Sequence, residues 1–158
     1  MKLISALALC IPLFANAMSK EEQIWKAVKD NDKALLVSAL DGAKDVVPGM
    51  RDQVGRTPLH YCARQQHAQL IPLLMAAGAN INDCQNIWHT TPLIEAVHAA
   101  PCAAQEHAAT VKALLPYNPD LTIKDSQDRT AEIVASLYYR EPIWVLLNAY
   151  AEKIRSAK

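Results

Sequence analysis

The feature that most constrains the fold of this 158-residue chain is a short motif that occurs more than once. Thr57-Pro58-Leu59 recurs 34 positions later (91 − 57) as Thr91-Pro92-Leu93, and a degenerate third copy begins at Thr130. In each copy the motif opens a segment whose apolar residues have helical spacing. Self-similarity at such a period is typical of proteins that stack one small unit several times. The sequence therefore predicts a row of similar helix pairs that share one continuous core.

Segments outside these copies extend the row at both ends. Residues 24–28 and 34–40 have the pattern of a helix pair that lacks the threonine turn, and residues 143–147 supply a second helix to the copy at Thr130. Terminal units of stacked repeats are usually atypical, because one of their sides faces solvent. We therefore expect four helix-turn-helix units, with approximate bounds 21–50, 52–83, 86–124 and 125–158.

The first 17 residues have the pattern of a secretory signal peptide. Lys2 precedes an apolar run at 3–14, and Ala15-Asn16-Ala17 supplies the small residues of a cleavage site. The run is too short to span a bilayer, and it lacks the polar face of an ordinary first helix. We therefore expect cleavage before Met18 and export to the periplasm of a bacterium. The alternative is that Met18 is the true start and that the protein is cytosolic.

The charge balance argues against a nucleic-acid partner. The chain has 16 Lys and Arg residues against 16 Asp and Glu residues. Loss of Lys2 with the signal leaves 15 (16 − 1) against 16, and the cations form no basic stripe. No second apolar stretch has the length of a membrane span. We expect a nearly neutral, soluble protein that is a monomer when free, with no nucleic acid among its partners and no membrane insertion after signal cleavage.

One unit carries a complete motif, which resembles the ankyrin repeat family. Weaker matches extend over about 21–150, and departures lie at a six-residue insertion (101–106), at Asn118-Pro119 in place of Gly-Ala and at Ala131-Glu132 in place of Pro-Leu. The matching residues are Asp52, Gly55, Thr57-Pro58-Leu59-His60, Ala63, His67, Ile71, Leu73-Leu74, Gly78-Ala79 and Ile81-Asn82.

The resemblance implies both a fold and a class of function. The implied fold is an all-α ankyrin-repeat solenoid of about four stacked helix-turn-helix units with short β-hairpin loops. It would occupy residues 18–158, after the signal peptide at 1–17. The implied function is protein binding, without catalytic activity and without a cofactor.

Most motif residues suit architectural roles. Pro58 fits the first helical position, where a missing N–H costs nothing, and Thr57 is placed to cap that helix. His60 is better interpreted as a structural imidazole that bonds backbone groups of the turn than as a base. Gly78 fits a left-handed helix C-cap. The predicted core comprises Leu59, Leu70, Ile71, Leu73 and Leu74, the small residues Cys62, Ala63 and Ala96, and the tryptophans Trp25 and Trp144.

No motif indicates an enzyme. The chain has no glycine-rich phosphate loop, no Gly-x-Ser-x-Gly elbow and no nucleophile with a plausibly placed base. His98, Cys102 and His107 bracket the insertion, but their spacing matches no standard zinc pattern. We expect a solvated loop there, and the alternative is a metal-binding or enzymatic role for these three residues. Cys62, Cys84 and Cys102 are odd in number, and we expect no intramolecular disulfide, with an intermolecular one left open.

The remaining candidates lie on the predicted binding surface. In the ankyrin pattern the variable positions lie just before the turn threonine and about seven or eight residues after it, on the concave side of the stack. Trp88 is the main anchor candidate, because a tryptophan on a hairpin tip has little core to enter. The alternative is that it folds back over its own hairpin. The predicted protein-binding residues are Gln53, Val54, Arg56, Arg64, Gln65, Ile87, Trp88, Thr90, His98, Ser126, Gln127, Arg129, Leu137 and Tyr138.

We therefore expect a periplasmic protein–protein interaction module that acts as an accessory or protective partner of another protein. The resemblance implies an alternative within the same class, an immunity-type antidote that binds a secreted toxin. No residue pattern distinguishes the two roles, because ankyrin surfaces follow no general recognition code.

Overall fold

The structure is a computed structural model that describes residues 18–43, 46–99, 104–138 and 141–156, with the backbone alone described at 104–107. Within these ranges the chain forms eight α-helices, and no residue lies in a β-strand. The helices are α1 (Lys20–Lys29), α2 (Lys33–Leu40), α3 (Pro58–Arg64), α4 (Ile71–Ala76), α5 (Pro92–His98), α6 (Ala104–Leu114), α7 (Ala131–Leu137) and α8 (Glu141–Ser156), with 3-10 segments at Val47–Gly49, Ala68–Leu70 and Leu115–Tyr117.

The helices form two layers. α1, α3, α5 and α7 pack side by side in chain order and make the inner layer. In the outer layer α4 contacts α6 and α6 contacts α8, while the 3-10 segment Ala68–Leu70 contacts both α2 and α6. Each inner helix also packs on the outer helix that follows it in the sequence. The predicted all-α stack of helix pairs is therefore confirmed.

Threonine hydroxyls cap the N-termini of the inner helices in the last three units. The side chains of Thr57, Thr91 and Thr130 accept hydrogen bonds from the third backbone N–H of α3, α5 and α7. Pro58 and Pro92 occupy the first turn of their helices, where no intrahelical N–H partner is needed. The predicted cap at Thr57 is confirmed. The cap at Thr130 forms as well, although alanine replaces proline after it.

The predicted core is confirmed at most positions. Leu59, Leu70, Ile71 and Leu74 are fully buried, as are the small residues Cys62, Ala63 and Ala96 that allow the helix layers to approach closely. Leu73 is only half-buried and packs at the edge of the core.

The two tryptophans predicted in the core behave differently. Trp25 is half-buried, packs on the core and meets the ring of Tyr61 edge-on, with 6.3 Å between ring centroids. Trp144 is 41% exposed, so its prediction was wrong. The reason is that the buried positions of α8 are Ile143 and Leu147, and Trp144 follows directly on Ile143 and so lies off their stripe.

Left-handed residues end two of the outer-layer segments. Gly78 follows α4 with φ +88°, as predicted for a C-cap. Asn118 takes the corresponding place after Leu115–Tyr117 with φ +54°, a conformation that asparagine tolerates better than most residues. The Tyr150 hydroxyl donates to Asn118 Oδ1 at 3.1 Å, which ties this turn to α8. The replacement of glycine by asparagine therefore preserves the turn.

The insertion differs from the expected loop over half of its length. α6 begins at Ala104, so residues 104–106 belong to its first turn, and α6 has 11 residues where α4 has 6. Alanine, glutamine and glutamate are strong helix formers, which explains the extension. Residues 101–103 lie outside the described residues.

The predicted signal peptide at 1–17 also lies outside the described residues. Among the helices that the structure describes, none has both the length and the apolar character needed to cross a membrane.

Candidate protein-binding surface

Three turns of nearly identical geometry precede the inner helices α3, α5 and α7. We call these turns, at 52–56, 86–90 and 125–129, the hairpin tips. Each begins with an Asp or Asn whose Oδ1 accepts hydrogen bonds from the backbone N–H groups two and four residues later. The distances are 3.0 and 2.8 Å for Asp52, 3.1 and 3.2 Å for Asn86, and 2.9 and 3.0 Å for Asp125. One side-chain oxygen therefore fixes the conformation of each tip.

The tips also stack closely on one another. The fourth residue of each has a positive φ, and in the first tip this residue is Gly55 at φ +83°. A Cβ atom at Gly55 would lie 2.6 Å from the carbonyl oxygen of Gln85 and 2.9 Å from the Cα of Asn86. The second tip thus occupies the space that a side chain at position 55 would need.

Backbone hydrogen bonds join the tips into one row. The Ile87 N–H donates to the Val54 carbonyl at 3.1 Å, and the Ser126 N–H donates to the Trp88 carbonyl at 2.8 Å. Adjacent tips are therefore held in a fixed relative position by their main chains, and the side chains that project from them have a rigid base.

His60 connects the row of tips to helix α3 through buried hydrogen bonds. Its ring is fully buried; Nδ1 accepts from the Thr57 N–H at 3.1 Å, and Nε2 lies 2.9 Å from the carbonyls of both Asp83 and Thr90. These partners require a neutral ring with its proton on Nε2. Burial favours the same form by lowering the pKa of His60. The predicted structural role of His60 is confirmed.

Trp88 lies on the surface of the second tip and is 41% exposed. The Arg56 guanidinium of the first tip sits 5.8 Å from the centre of the Trp88 ring, within cation–π range. Asp52 holds Arg56 through a 2.8 Å bond to its Nε. The tryptophan therefore rests against the neighbouring tip, where one side of its ring stays open to solvent together with the exposed Ile87.

The other predicted residues divide by exposure. Val54 is half-buried at the first tip. Thr90 is buried, and its hydroxyl donates to Glu95 at 2.7 Å and lies 3.1 Å from Asn86 Oδ1, so it does not face a partner. The other predicted residues with exposed side chains on or next to the tips and inner helices are Gln53, Arg64, Gln65, Ser126, Gln127, Leu137 and Tyr138.

Seven of the predicted residues meet in one pocket of about 300 Å³ between α3, α5 and the third tip. The buried carboxylates of Glu95 and Asp125 also line it. We call it the Arg64–Arg129 pocket. The predicted residues in its lining are Arg64, Trp88, Thr90, His98, Ser126, Gln127 and Arg129.

A second depression, of about 860 Å³, lies at the other end of the inner layer and was missed by the sequence analysis. α1 supplies Trp25, Lys26 and Lys29 to it, α3 supplies Tyr61, and the first tip forms its other wall. α1 has no threonine turn, so the ankyrin positions could not be transferred to it. The apolar spacing of residues 24–28 was the one available signal for this depression, because it indicated a helix that packs beside the threonine-capped ones.

Of the three residues of the alternative metal site, two have side chains that the structure does not describe. Cys102 and the side chain of His107 are outside the described residues. Among the side chains that are described, no three His, Cys, Asp or Glu residues come together as a metal site would require. Cys62 and Cys84 carry free thiols, and burial raises the pKa of Cys62 far above its usual range.

The fold and the surface together define a class of protein, a helical repeat stack with a row of fixed turns along one side. The family model for ankyrin repeats, in three copies, matches residues 24–125, which is more than half of the chain. The chain belongs to the ankyrin repeat family. No curated protein matches it at a significant level. Ankyrin repeats indicate a protein–protein interaction module, and proteins of this family are generally non-catalytic.

Proposed function

We propose that this protein is an exported, non-catalytic module that binds one partner protein with its inner face, meaning the hairpin tips and the exposed side of the inner layer. The observation that carries the proposal is the exposed pair Ile87 and Trp88 on a tip whose backbone is bonded to both neighbouring tips. An exposed aromatic side chain on a rigid base loses little conformational entropy on binding. Such residues are common anchors of protein interfaces.

The composition of the inner face also favours a protein partner. It combines the aromatic Trp88 and Tyr138 with several arginines, which are the residue types enriched at interface centres. Leu137, at the end of α7, adds an exposed apolar side chain. We propose that the free protein is a monomer and acts on its partner as an accessory or protective factor. An immunity-type antidote that binds a secreted toxin would use the same surface.

Two tryptophans with equal exposure allow a matched test. Trp88 and Trp144 are each 41% exposed, but Trp144 lies on the outer-layer helix α8. The partner is first captured from the native organism with the wild-type protein and identified by mass spectrometry. We then expect Trp88→Ala to weaken its binding by about 2 kcal/mol or more, as for a buried anchor. The affinity is measured by calorimetric titration with the purified partner.

Trp144→Ala should keep the wild-type affinity, and both variants should melt close to the wild-type temperature. Equal losses of affinity in the two variants would place the interface elsewhere. A sharp drop in the melting temperature of Trp88→Ala alone would mean that the ring stabilises the stack.

The proposed export rests on Lys2, the apolar run at 3–14 and the small residues before Met18. N-terminal sequencing of the protein purified from its native cells should begin at or next to Met18. The periplasmic fraction is compared with the cytoplasm of the same cells. Intact Met1 on soluble protein from the cytoplasm contradicts export.

A further inference from the structure

Three ion pairs on the inner face share one orientation, with a buried carboxylate and a more exposed arginine side chain. The arginine side chains are 28%, 47% and 20% exposed, against 5%, 2% and 2% for their acidic partners. The pairs, in the same order, are Arg51 with Asp83 at 2.7 Å, Arg64 with Glu95 at 2.9 Å and Arg129 with Asp125 at 2.7 Å. Each pair is neutral overall, but the part that an approaching molecule meets is cationic.

The two carboxylates of the Arg64–Arg129 pocket are already bonded. Glu95 accepts from Arg64 with one oxygen and from the Thr90 hydroxyl with the other. Asp125 accepts from Arg129 and from the backbone N–H of Gln127. Burial acts to raise the pKa of Asp125, but the hydrogen bonds from Arg129 and the backbone outweigh it and lower that pKa. Both acids therefore hold the arginines in place and have little capacity left for an external cation.

Arg64, in contrast to the two acids, has hydrogen-bonding groups that are not in use. Its Nη1 donates to Glu95, and among the described residues its other N–H groups have no acceptor, although nearly half of the side chain is exposed. A guanidinium has five donors arranged in a planar fork that suits a carboxylate. The rim of the same pocket adds the exposed side chains of Ser126 and Gln127, which can also donate. The vacant donors thus point to an anionic acceptor.

His98 adds no charge to the pocket at neutral pH. Its Nε2 lies 3.2 Å from Arg129 Nη2, a donor that suits a neutral ring with Nε2 as acceptor, and 3.7 Å from Asp125 Oδ2. The Tyr138 ring packs against the imidazole with 5.5 Å between ring centroids. Burial and the neighbouring Arg129 lower the pKa of His98, while Glu95 and Asp125 act weakly against this. The exposed charge of the pocket is therefore that of its two arginines.

We propose that the Arg64–Arg129 pocket receives an Asp or Glu side chain from an acidic segment of the partner protein. The segment would lie along the inner face, with one carboxylate bonded by Arg64 and the hydrocarbon part of the segment against Trp88. Arg51, which also pairs with a buried carboxylate, continues this surface toward α1. This inference rests on the proposed function, because it names the chemistry of the protein that the inner face binds.

The test uses short fluorescein-labelled peptides of alternating Glu and Gly, with matched peptides in which every Glu is replaced by Gln or by Lys. Fluorescence anisotropy is measured at low and at physiological salt. We expect the Glu peptide alone to bind, and to bind more weakly as salt screens the charges. A peptide of Gln that binds as well as the Glu peptide overturns the proposal.

The decisive variant is the double change Arg64→Gln with Glu95→Gln, which removes the fork without changing the net charge or leaving a buried carboxylate unpaired. It should weaken binding of the Glu peptide by roughly ten-fold or more, the scale of lost hydrogen bonds to a charged group. Arg155→Gln is the control: Arg155 lies on the outer-layer helix α8, and this change removes a whole positive charge. Equal weakening by both variants would mean that binding follows net charge and not the pocket.

A single-stranded oligonucleotide serves as a second probe. If it binds as tightly as the Glu peptide, the face is a general polyanion surface and the proposal is wrong. Failure of this inference can be told from failure of the proposed function. If the Glu peptide does not bind but Trp88→Ala still weakens binding of the native partner, only the acidic-segment inference fails. If Trp88→Ala leaves binding of the native partner unchanged, the proposed interface itself is wrong.

Discussion

Replacement of His60 by alanine is expected to cost the stack a large share of its stability. Within the described residues, the Thr57 N–H and the Asp83 carbonyl each form a hydrogen bond with His60 alone. Thr57 and Asp83 are both buried. A buried polar group left without a partner costs about 1–3 kcal/mol, so the loss of both amounts to about 2–6 kcal/mol before any cavity is counted. Small domains have a total stability of about 5–15 kcal/mol. Urea unfolding followed by circular dichroism measures the change.

His67→Ala is the matched control for His60→Ala. His67 is only half-buried and makes a 3.0 Å contact to the Val28 carbonyl, so its removal should cost much less. The pH dependence supplies a second readout. Because burial lowers the pKa of His60 below its ordinary 6.5, the neutral ring contributes stability that is fully present above that pH. It is lost as the pH falls through the folded-state pKa, and the His60 variant should lack this part of the acid sensitivity. Equal destabilisation by the two variants contradicts the assigned role.

Leu74→Ala is the second substitution with a large expected effect. Leu74 is fully buried within the core that joins the helix pairs, so truncation leaves a cavity at the contact between units. Changes of this kind cost about 2–5 kcal/mol. In a stack each unit depends on its neighbours, so a single cooperative transition should shift as a whole. Thermal melting with calorimetry tests both the size of the shift and its cooperativity.

The adjacent Leu73→Ala makes the same chemical change at a half-buried site. Its expected cost is clearly smaller, because part of the side chain is already in contact with water. If Leu73→Ala proves as costly as Leu74→Ala, then the edge of the core between α2 and α4 carries more of the stacking energy than burial implies.

Local rules accounted for the parts of the fold that were predicted from the sequence. The cap at Thr57, the first-turn Pro58 and the left-handed Gly78 each follow from the geometry of a few consecutive residues. The inward bonds of His60 were predicted from the family motif, although their partners lie 23 and 30 residues away. Periodicity was enough to pair the helices and to order them.

The failures at Trp144 and at the arginine pocket arose where the outcome depends on stacking, whereas the extension of α6 follows from local helix propensity. Trp144 was predicted in the core because it lies in the interior of a helix, but the helix phase is set by the contact of α8 with α6 and α7, which no local pattern shows. The insertion was expected to be a loop, and its helix-forming residues 104–106 instead extend α6. Family positions gave Arg64 and Arg129 as separate candidates. That the carboxylate of Glu95 is buried beneath Arg64, and that both arginines line one pocket, became visible only when residues 31 positions apart were brought together.

In each hairpin tip, one residue shapes the turn and the next residue is available for recognition. Asp52, Asn86 and Asp125 direct an oxygen back into their own turns, while the next residue in each tip, such as Gln53 or Ile87, faces solvent. A substitution at the exposed position leaves the oxygen that shapes the turn untouched. The two sets of positions can therefore diverge at different rates under natural selection. A lineage can acquire a new partner through changes in the outward side chains while every copy of the turn is retained.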